Sequence, residues 1–277
     1  MDTCKNGLEL FPNDTELRFR RGLLLHEMGC LAESVAAYRD VLETREARHF
    51  TSVDQGITGF KARQNLAVVY TDLGDLAAAE SEWRRVTEEM PNYKAGWRGL
   101  GDILLRQRKH HLALELAARL STNNGFRAEA MMIKGQVAAA RGELELARRE
   151  LEQAAREDPH DPEPLRVLAK LLFERFGPTE SEQSLSELVR RDPQDASAYH
   201  NLGTVYYLAH QHAKAVETYR KSVELRPNAP GTLLYLGHAL KEMGSVEEAV
   251  AVWREALRLA PTDSAVLEAL GSASDIG

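Results

Sequence analysis

Proline and glycine recur along this chain with a fixed spacing of 34 residues. One series with this spacing consists of prolines, with Gly125 at the one position that lacks proline: Pro91, Pro159, Pro193, Pro227 and Pro261. A second series has the same spacing and consists of glycines, with Ala169 at its exception: Gly101, Gly135, Gly203, Gly237 and Gly271. Two helix-breaking residue types at one period predict a repeat protein, in which one structural unit is copied along the chain.

The clearest copy of the unit spans residues 196–227. Its first half carries apolar or small residues at the i, i+3, i+4 and i+7 positions of one helix face, namely Tyr199, Leu202, Gly203 and Tyr206. Its second half places Ala215 and Tyr219 on an inward face and ends at Pro227. We expect the two helices to cross closely at Gly203, so that a larger side chain there would force them apart.

This arrangement resembles the tetratricopeptide repeat (TPR), which has an aromatic residue, Leu-Gly and Tyr on its first helix and Ala, an aromatic residue and Pro on its second. The sharpest local match is residues 97–101, Trp-Arg-Gly-Leu-Gly. The resemblance implies an all-α fold, a right-handed α-solenoid of antiparallel helix pairs. It covers nearly the whole chain, so one solenoid is expected over residues 1–277.

The repeat frame predicts where each unit begins. Complete units are expected to start near residues 15, 60, 94, 128, 162, 196 and 230, with a half-repeat at residues 1–12 and a single terminal helix at 264–274. Because both ends fall in the middle of a unit, we expect the chain to be part of a longer protein.

One insertion, within residues 43–59, interrupts the spacing. It carries the apolar residues Phe50, Val53 and Ile57, which a merely tolerated loop does not need, so one interpretation is a loop that contacts a ligand. The alternative is a surface insertion without function, since lengthening a loop costs little entropy. The insertion also resembles one found in the repeat regions of bacterial glycosyltransferases.

The sequence contains none of the motifs that bind nucleotides, hold a catalytic zinc or expose a nucleophilic serine. His110-His111 and His210-x-His212 fall at predicted turns without a fixed acidic or cysteine partner. We therefore expect no enzyme activity, no cofactor and no metal. The net charge of −7 argues against nucleic-acid binding.

No apolar run approaches the roughly 20 residues that span a membrane, and the first residues lack the pattern of a secretory signal. Cys4 and Cys30 are too few for a disulfide framework. These features favour a cytoplasmic protein that does not enter a membrane.

In the TPR family the first helix of each unit lines the concave face of the solenoid. The resemblance therefore implies that side chains of these helices that do not pack inward can grip an extended peptide, and long polar donors suit that role. The candidate groove residues are Lys61, Asn65, Arg98, Arg166, Lys170 and Asn201.

The function expected from these features is a non-catalytic scaffold that binds a peptide or a partner protein domain. Two alternatives remain open. The chain could be the substrate-recruiting TPR region of a larger bacterial glycosyltransferase, or a self-associating module that forms a homo-oligomer through exposed solenoid ends.

Overall fold

A computed structural model describes residues 2–43 and 56–274, and the described part of the chain is helical without any β-strand. The prediction of an all-α fold is confirmed. The chain divides into two compact units, Met1–Ala140 and Arg141–Gly277, and each is a stack of antiparallel helix pairs.

The first unit contains eight α-helices in its described residues. A short 3₁₀ turn at Asn124–Phe126 precedes the last of them. The helices are α1 (Asp2–Leu10), α2 (Thr15–Glu27), α3 (Leu31–Glu43), α4 (Phe60–Asp72), α5 (Leu76–Glu89), α6 (Lys94–Arg106), α7 (His110–Ser121) and α8 (Arg127–Ala140).

The second unit also contains eight α-helices in its described residues. They are α9 (Leu144–Glu157), α10 (Glu163–Leu171), α11 (Pro178–Arg191), α12 (Ala196–Leu208), α13 (His212–Leu225), α14 (Pro230–Glu242), α15 (Val246–Leu259) and α16 (Ser264–Ser274). The α12–α13 and α14–α15 pairs form the core of this unit, around the fully buried side chains of Tyr219 and Trp253.

Aspartate side chains begin several of these helices. Asp14, Asp75 and Asp195 each accept a hydrogen bond from the backbone N–H three residues later, at 2.9–3.0 Å. This bond satisfies one of the amide groups that have no partner within the helix. The sequence therefore sets the start of α2, α5 and α12 locally, before any tertiary contact is considered.

The turn within each pair needs one residue with a left-handed backbone. Glycine supplies it at Gly74 and Gly244, with φ of 79° and 81°. Arg108 and His210 occupy equivalent turns with φ of 58° and 56°, which costs about 1 kcal/mol for a residue with a Cβ atom.

The turn after α10 is irregular. There the left-handed glycine is Gly177, and the helix passes through one π-helical turn at Leu172–Phe176 before reaching it. The backbone N–H of Gly177 donates to the Leu172 carbonyl at 2.9 Å, a bond that spans five residues. The π-helical turn extends the helical segment that begins with α10 to Phe176, and α11 then starts at Pro178.

In three of the pairs, a glycine on the first helix lies beneath a bulky ring on the second. A Cβ atom at Gly203 would lie 2.7 Å from the Tyr219 ring, and one at Gly22 would lie 2.8 Å from the Tyr38 ring. Gly237 lies under Trp253 in the same way. The predicted close crossing at Gly203 is therefore confirmed, and the ring that requires it is that of Tyr219.

We expect Gly203→Ala to destabilise the chain by about 1–3 kcal/mol, because its new methyl group must displace the Tyr219 ring from a packed core. Urea denaturation followed by circular dichroism measures this loss. The matched control is Gly231→Ala, also in a helix of the second unit, where a Cβ atom would meet nothing within 4 Å. Equal stability of the two variants would contradict this packing.

Candidate functional site

The side chains of α12 and α14 that do not pack inward lie next to each other in the second unit. His200 Nδ1 lies 3.0 Å from Thr232 Oγ1, so a hydrogen bond joins the two helices. The rings of His200 and Tyr235 are 5.8 Å apart, and Tyr235 stacks on Tyr219 at 6.2 Å. The centroid of the His238 ring lies 6.3 Å from that of Tyr235 and 5.4 Å from that of Trp253. We call the five ring-bearing residues, His200, Tyr219, Tyr235, His238 and Trp253, the aromatic face.

The aromatic face has a fixed base and an accessible surface. Tyr219 and Trp253 form the base: both are fully buried, and each donates its polar hydrogen within the unit, to Thr204 Oγ1 at 3.1 Å and to the Leu234 carbonyl at 3.0 Å. Tyr235 forms the surface, with 39% of its area exposed. An exposed ring held by a packed base can stack on an apolar or planar group without losing much conformational entropy.

The two histidines of this face are electrically neutral near pH 7. Burial lowers the pKa of His200, and the positive charge of Arg226 lowers it further. Burial also lowers the pKa of His238, together with the charge of Lys241, while Glu242 acts in the opposite direction. In the neutral form each imidazole has one donor and one acceptor nitrogen, so the face can hydrogen-bond to both kinds of peptide backbone group.

An open pocket of 280 Å³ adjoins the aromatic face. It lies between the first turns of α12 and α14 and the end of α13. Its lining consists of small and polar residues, which are Ala196, Ser197, His200, Asn201, Ser222, Arg226, Ala229, Gly231 and Thr232. Within the described part of the chain, the Asn201 amide forms no hydrogen bond, so its donors and acceptor are available to a ligand.

Asn201 is the one candidate groove residue that lines this pocket. Arg166 and Lys170 lie on α10, and the Arg166 guanidinium contacts Glu163, Asp192 at 2.7 Å and Asp195 at 2.8 Å. Burial alone would lower the pKa of Arg166, but these carboxylates raise it. Lys170 is largely exposed, with its ammonium group 4.0 Å from Glu174.

In the first unit, Lys61 and Asn65 are adjacent on α4. The Asn65 amide donates to the Lys61 carbonyl at 3.1 Å, and both side chains are half-buried. Arg98, on α6, donates to Glu129 at 2.7 Å, and Lys94 lies 3.7 Å from the same carboxylate. Glu129 is completely buried, so Arg98 supplies the positive charge that a buried carboxylate requires.

Sequence reasoning identified long polar side chains on the first helices but not their partners. Apart from Glu163, which is three residues from Arg166, the carboxylate partners of Arg98 and Arg166 lie 26 to 31 residues away in sequence. A carboxylate ligand would have to displace those partners from either arginine. Arg226 also lines the pocket, although it was not among the predicted residues. It directly precedes Pro227, where the second half of the repeat ends, and this position in the sequence could have predicted its location.

The predicted contact loop falls mostly outside the described residues, which is where Phe50 and Val53 lie. Ile57 is described: it is 9% exposed and packs in the hydrophobic core of the first unit. Its side chain stabilises this unit in the state that the structure shows.

No helix in the described part of the chain has both the length and the apolar character to span a membrane. Across residues 2–43 and 56–274, no three His, Cys, Asp or Glu side chains are grouped so that they could hold a metal ion.

Family models of the tetratricopeptide repeat match the chain at residues 65–124, 104–162, 138–204, 196–229 and 230–273. Together these matches extend over most of the chain. The chain belongs to the tetratricopeptide repeat family. The helix pairs described above are therefore TPR units.

Two curated relatives are similar over part of this chain. Tetratricopeptide repeat protein 13 of Homo sapiens is 30% identical over 101 residues, which is 36% of this chain and 12% of that protein. The photosystem I assembly protein Ycf3 of Rippkaea orientalis (strain PCC 8801 / RF-1) is 33% identical over 90 residues, 27% of this chain and 52% of that protein. The chain thus spans about half or less of each relative.

Among solved structures, YrrB is similar, with a TM-score of 0.53 and 16% sequence identity. The match covers 68% of this chain and 96% of YrrB, which is described as a TPR protein with an unusual peptide-binding site. At this identity the likeness concerns the fold.

We expect Arg98→Gln to destabilise this TPR protein by about 3 kcal/mol, because it weakens the compensation of the buried Glu129 carboxylate. Urea denaturation provides the measurement. Lys170→Gln, a charge-matched change at an exposed candidate residue, should alter stability by less than about 0.5 kcal/mol. If both variants unfold at the same urea concentration, Arg98 does not have the structural role assigned to it.

Proposed function

We propose that this TPR protein is a non-catalytic interaction scaffold, and that an extended peptide binds to the aromatic face and the adjoining pocket of the second unit. The supporting observation is that the exposed Tyr235 ring lies beside a pocket containing the Asn201 amide, which forms no hydrogen bond among the described residues. The Tyr235 ring can stack on a ligand side chain, and the Asn201 amide nearby can hydrogen-bond to the ligand backbone.

The chemistry of a peptide fits these groups. Asn201 can donate to a peptide carbonyl and accept from a peptide N–H, which fixes the position of the ligand without selecting its sequence. Tyr235 can pack against an apolar or aromatic ligand side chain, which supplies both selectivity and buried area. The neutral imidazole of His238 adds a polar group at the other edge of the ring.

The relatives support binding as the kind of function. YrrB is described by its peptide-binding site, and Ycf3 by its role in assembly of photosystem I. Both descriptions concern binding of other polypeptides or assembly. We extend only that general class of function to this chain.

The groove that we propose is narrower than the six-residue set predicted from sequence. Asn201 remains in it, whereas Arg98 and Arg166 hold carboxylates of their own unit. Lys61, Asn65 and Lys170 stay predictions as contacts for a longer ligand.

We expect peptides selected from a random phage-displayed library to lose about tenfold or more in affinity when Asn201→Ala or Tyr235→Ala is introduced, since each removes a contact worth about 1.4 kcal/mol or more. Calorimetric titration of a selected peptide measures the loss. The matched control is Thr218→Ala on α13, a half-exposed polar residue outside the proposed site.

Circular dichroism melting should show that all three variants remain folded. If the selected peptide binds the control and the two site variants with equal affinity, it does not bind to the aromatic face and the adjoining pocket. Failure to select any peptide that binds the wild-type chain would argue against the proposed function itself.

A further inference from the structure

We infer that the 280 Å³ pocket between α12 and α14 binds an oxyanion, a carboxylate or a phosphate group carried by the bound peptide, through Arg226, His200 and Asn201. This inference rests on the proposed peptide-binding function and assigns the chemistry of one ligand group. Its evidence is the charge balance, the donors and the size of the pocket.

The charge of Arg226 is not compensated locally. Arg226 lies at the end of α13, is exposed, and forms no ion pair within the described residues. The acidic side chain nearest to Arg226 along the chain, Glu224, pairs with Lys221 at 2.9 Å, and Asp195, which precedes the pocket residue Ala196, pairs with Arg166 at 2.8 Å. The pocket therefore has a guanidinium group that an anion can neutralise.

His200 and Asn201 add hydrogen-bond donors on the α12 side. The His200 ring lies 5.8 Å from each of Tyr219 and Tyr235, centroid to centroid, so its position is fixed. Its Nδ1 is paired with Thr232 Oγ1, and its Nε2 forms no hydrogen bond in the described part of the chain. Nε2 can therefore donate to a ligand oxygen, as can the Asn201 amide.

The size of the pocket suits one polar group. At 280 Å³ it lies at or below the lower limit of sites that hold a whole drug-sized molecule. Small residues form its wall where a ligand would approach, with Gly231 exposed and no atom within 4 Å of its Cβ position. Backbone atoms of α14 are thus open to a small anion.

Protonation of His200 should be linked to binding. The groups that face it are Arg226 and Tyr219 from α13 and Tyr235 from α14, so no carboxylate among them favours its charged form. Burial and Arg226 lower the pKa of His200 in the free protein. A bound oxyanion favours the imidazolium form and raises that pKa. Affinity should therefore increase as the pH falls from 8 through the pKa of the bound state.

The experiment is an NMR titration of the histidine ring resonances of the full chain. Inorganic phosphate and sodium acetate are added separately, with sodium chloride holding the ionic strength constant. We expect a saturable increase of the His200 pKa, by about half a unit or more, with at least one of the two anions. A response to phosphate alone indicates a phosphorylated ligand residue, and a response to acetate indicates a carboxylate.

Arg226→Gln should abolish this response. Arg254→Gln is the matched control, because Arg254 is also exposed and forms no ion pair among the described residues. It should respond like the wild type. The inference is overturned if neither anion changes the His200 pKa, or if the two variants lose the response equally.

These outcomes are independent of the peptide experiment. Peptide affinity that depends on Tyr235, without any anion response, would retain the proposed function and reject the oxyanion pocket. An anion response without any selected peptide would retain the oxyanion site but reject a peptide as the molecule that carries the anion.

Discussion

Three of the helix pairs, α2–α3, α12–α13 and α14–α15, depend on the contact between a glycine on the first helix and a large ring on the second. Gly22 meets Tyr38, Gly203 meets Tyr219 and Gly237 meets Trp253, and in each case a Cβ atom would overlap the ring. The ring can be fully buried only because the opposite backbone presents no side chain. This contact fixes the spacing and rotation of the two helices, and thereby determines which of their side chains remain accessible.

Some of the accessible side chains already form ion pairs within their own unit, and others do not. Arg98 and Arg166 are bound to carboxylates within their own units, so they hold helices together. Asn201 and Arg226 line a pocket without a hydrogen bond or ion pair from their side chains in the described residues. We propose that ligands bind to the residues that the internal network leaves unused, which in the second unit lie beside the aromatic face.

The sequence predicts the fold more completely than it predicts the site. Helix content, the capping Asp195 and the crossing at Gly203 follow from local rules and from the period of 34 residues. The ion pairs do not, because Asp192 and Asp195, which pair with Arg166, lie in the connection between α11 and α12, and because the buried position of Glu129 cannot be predicted from its neighbours in sequence. The aromatic face cannot be predicted from local rules either, because the contact between His200 and Tyr235 joins two neighbouring repeats and depends on how these repeats pack.

The most direct test of the central claim is a crystal structure of the chain bound to a peptide selected from the displayed library. We expect the peptide to contact the Tyr235 ring and the Asn201 amide on the surface formed by α12 and α14. A peptide bound to the outer surface of α13 or α15, with Tyr235 and Asn201 still open to solvent, would contradict this expectation.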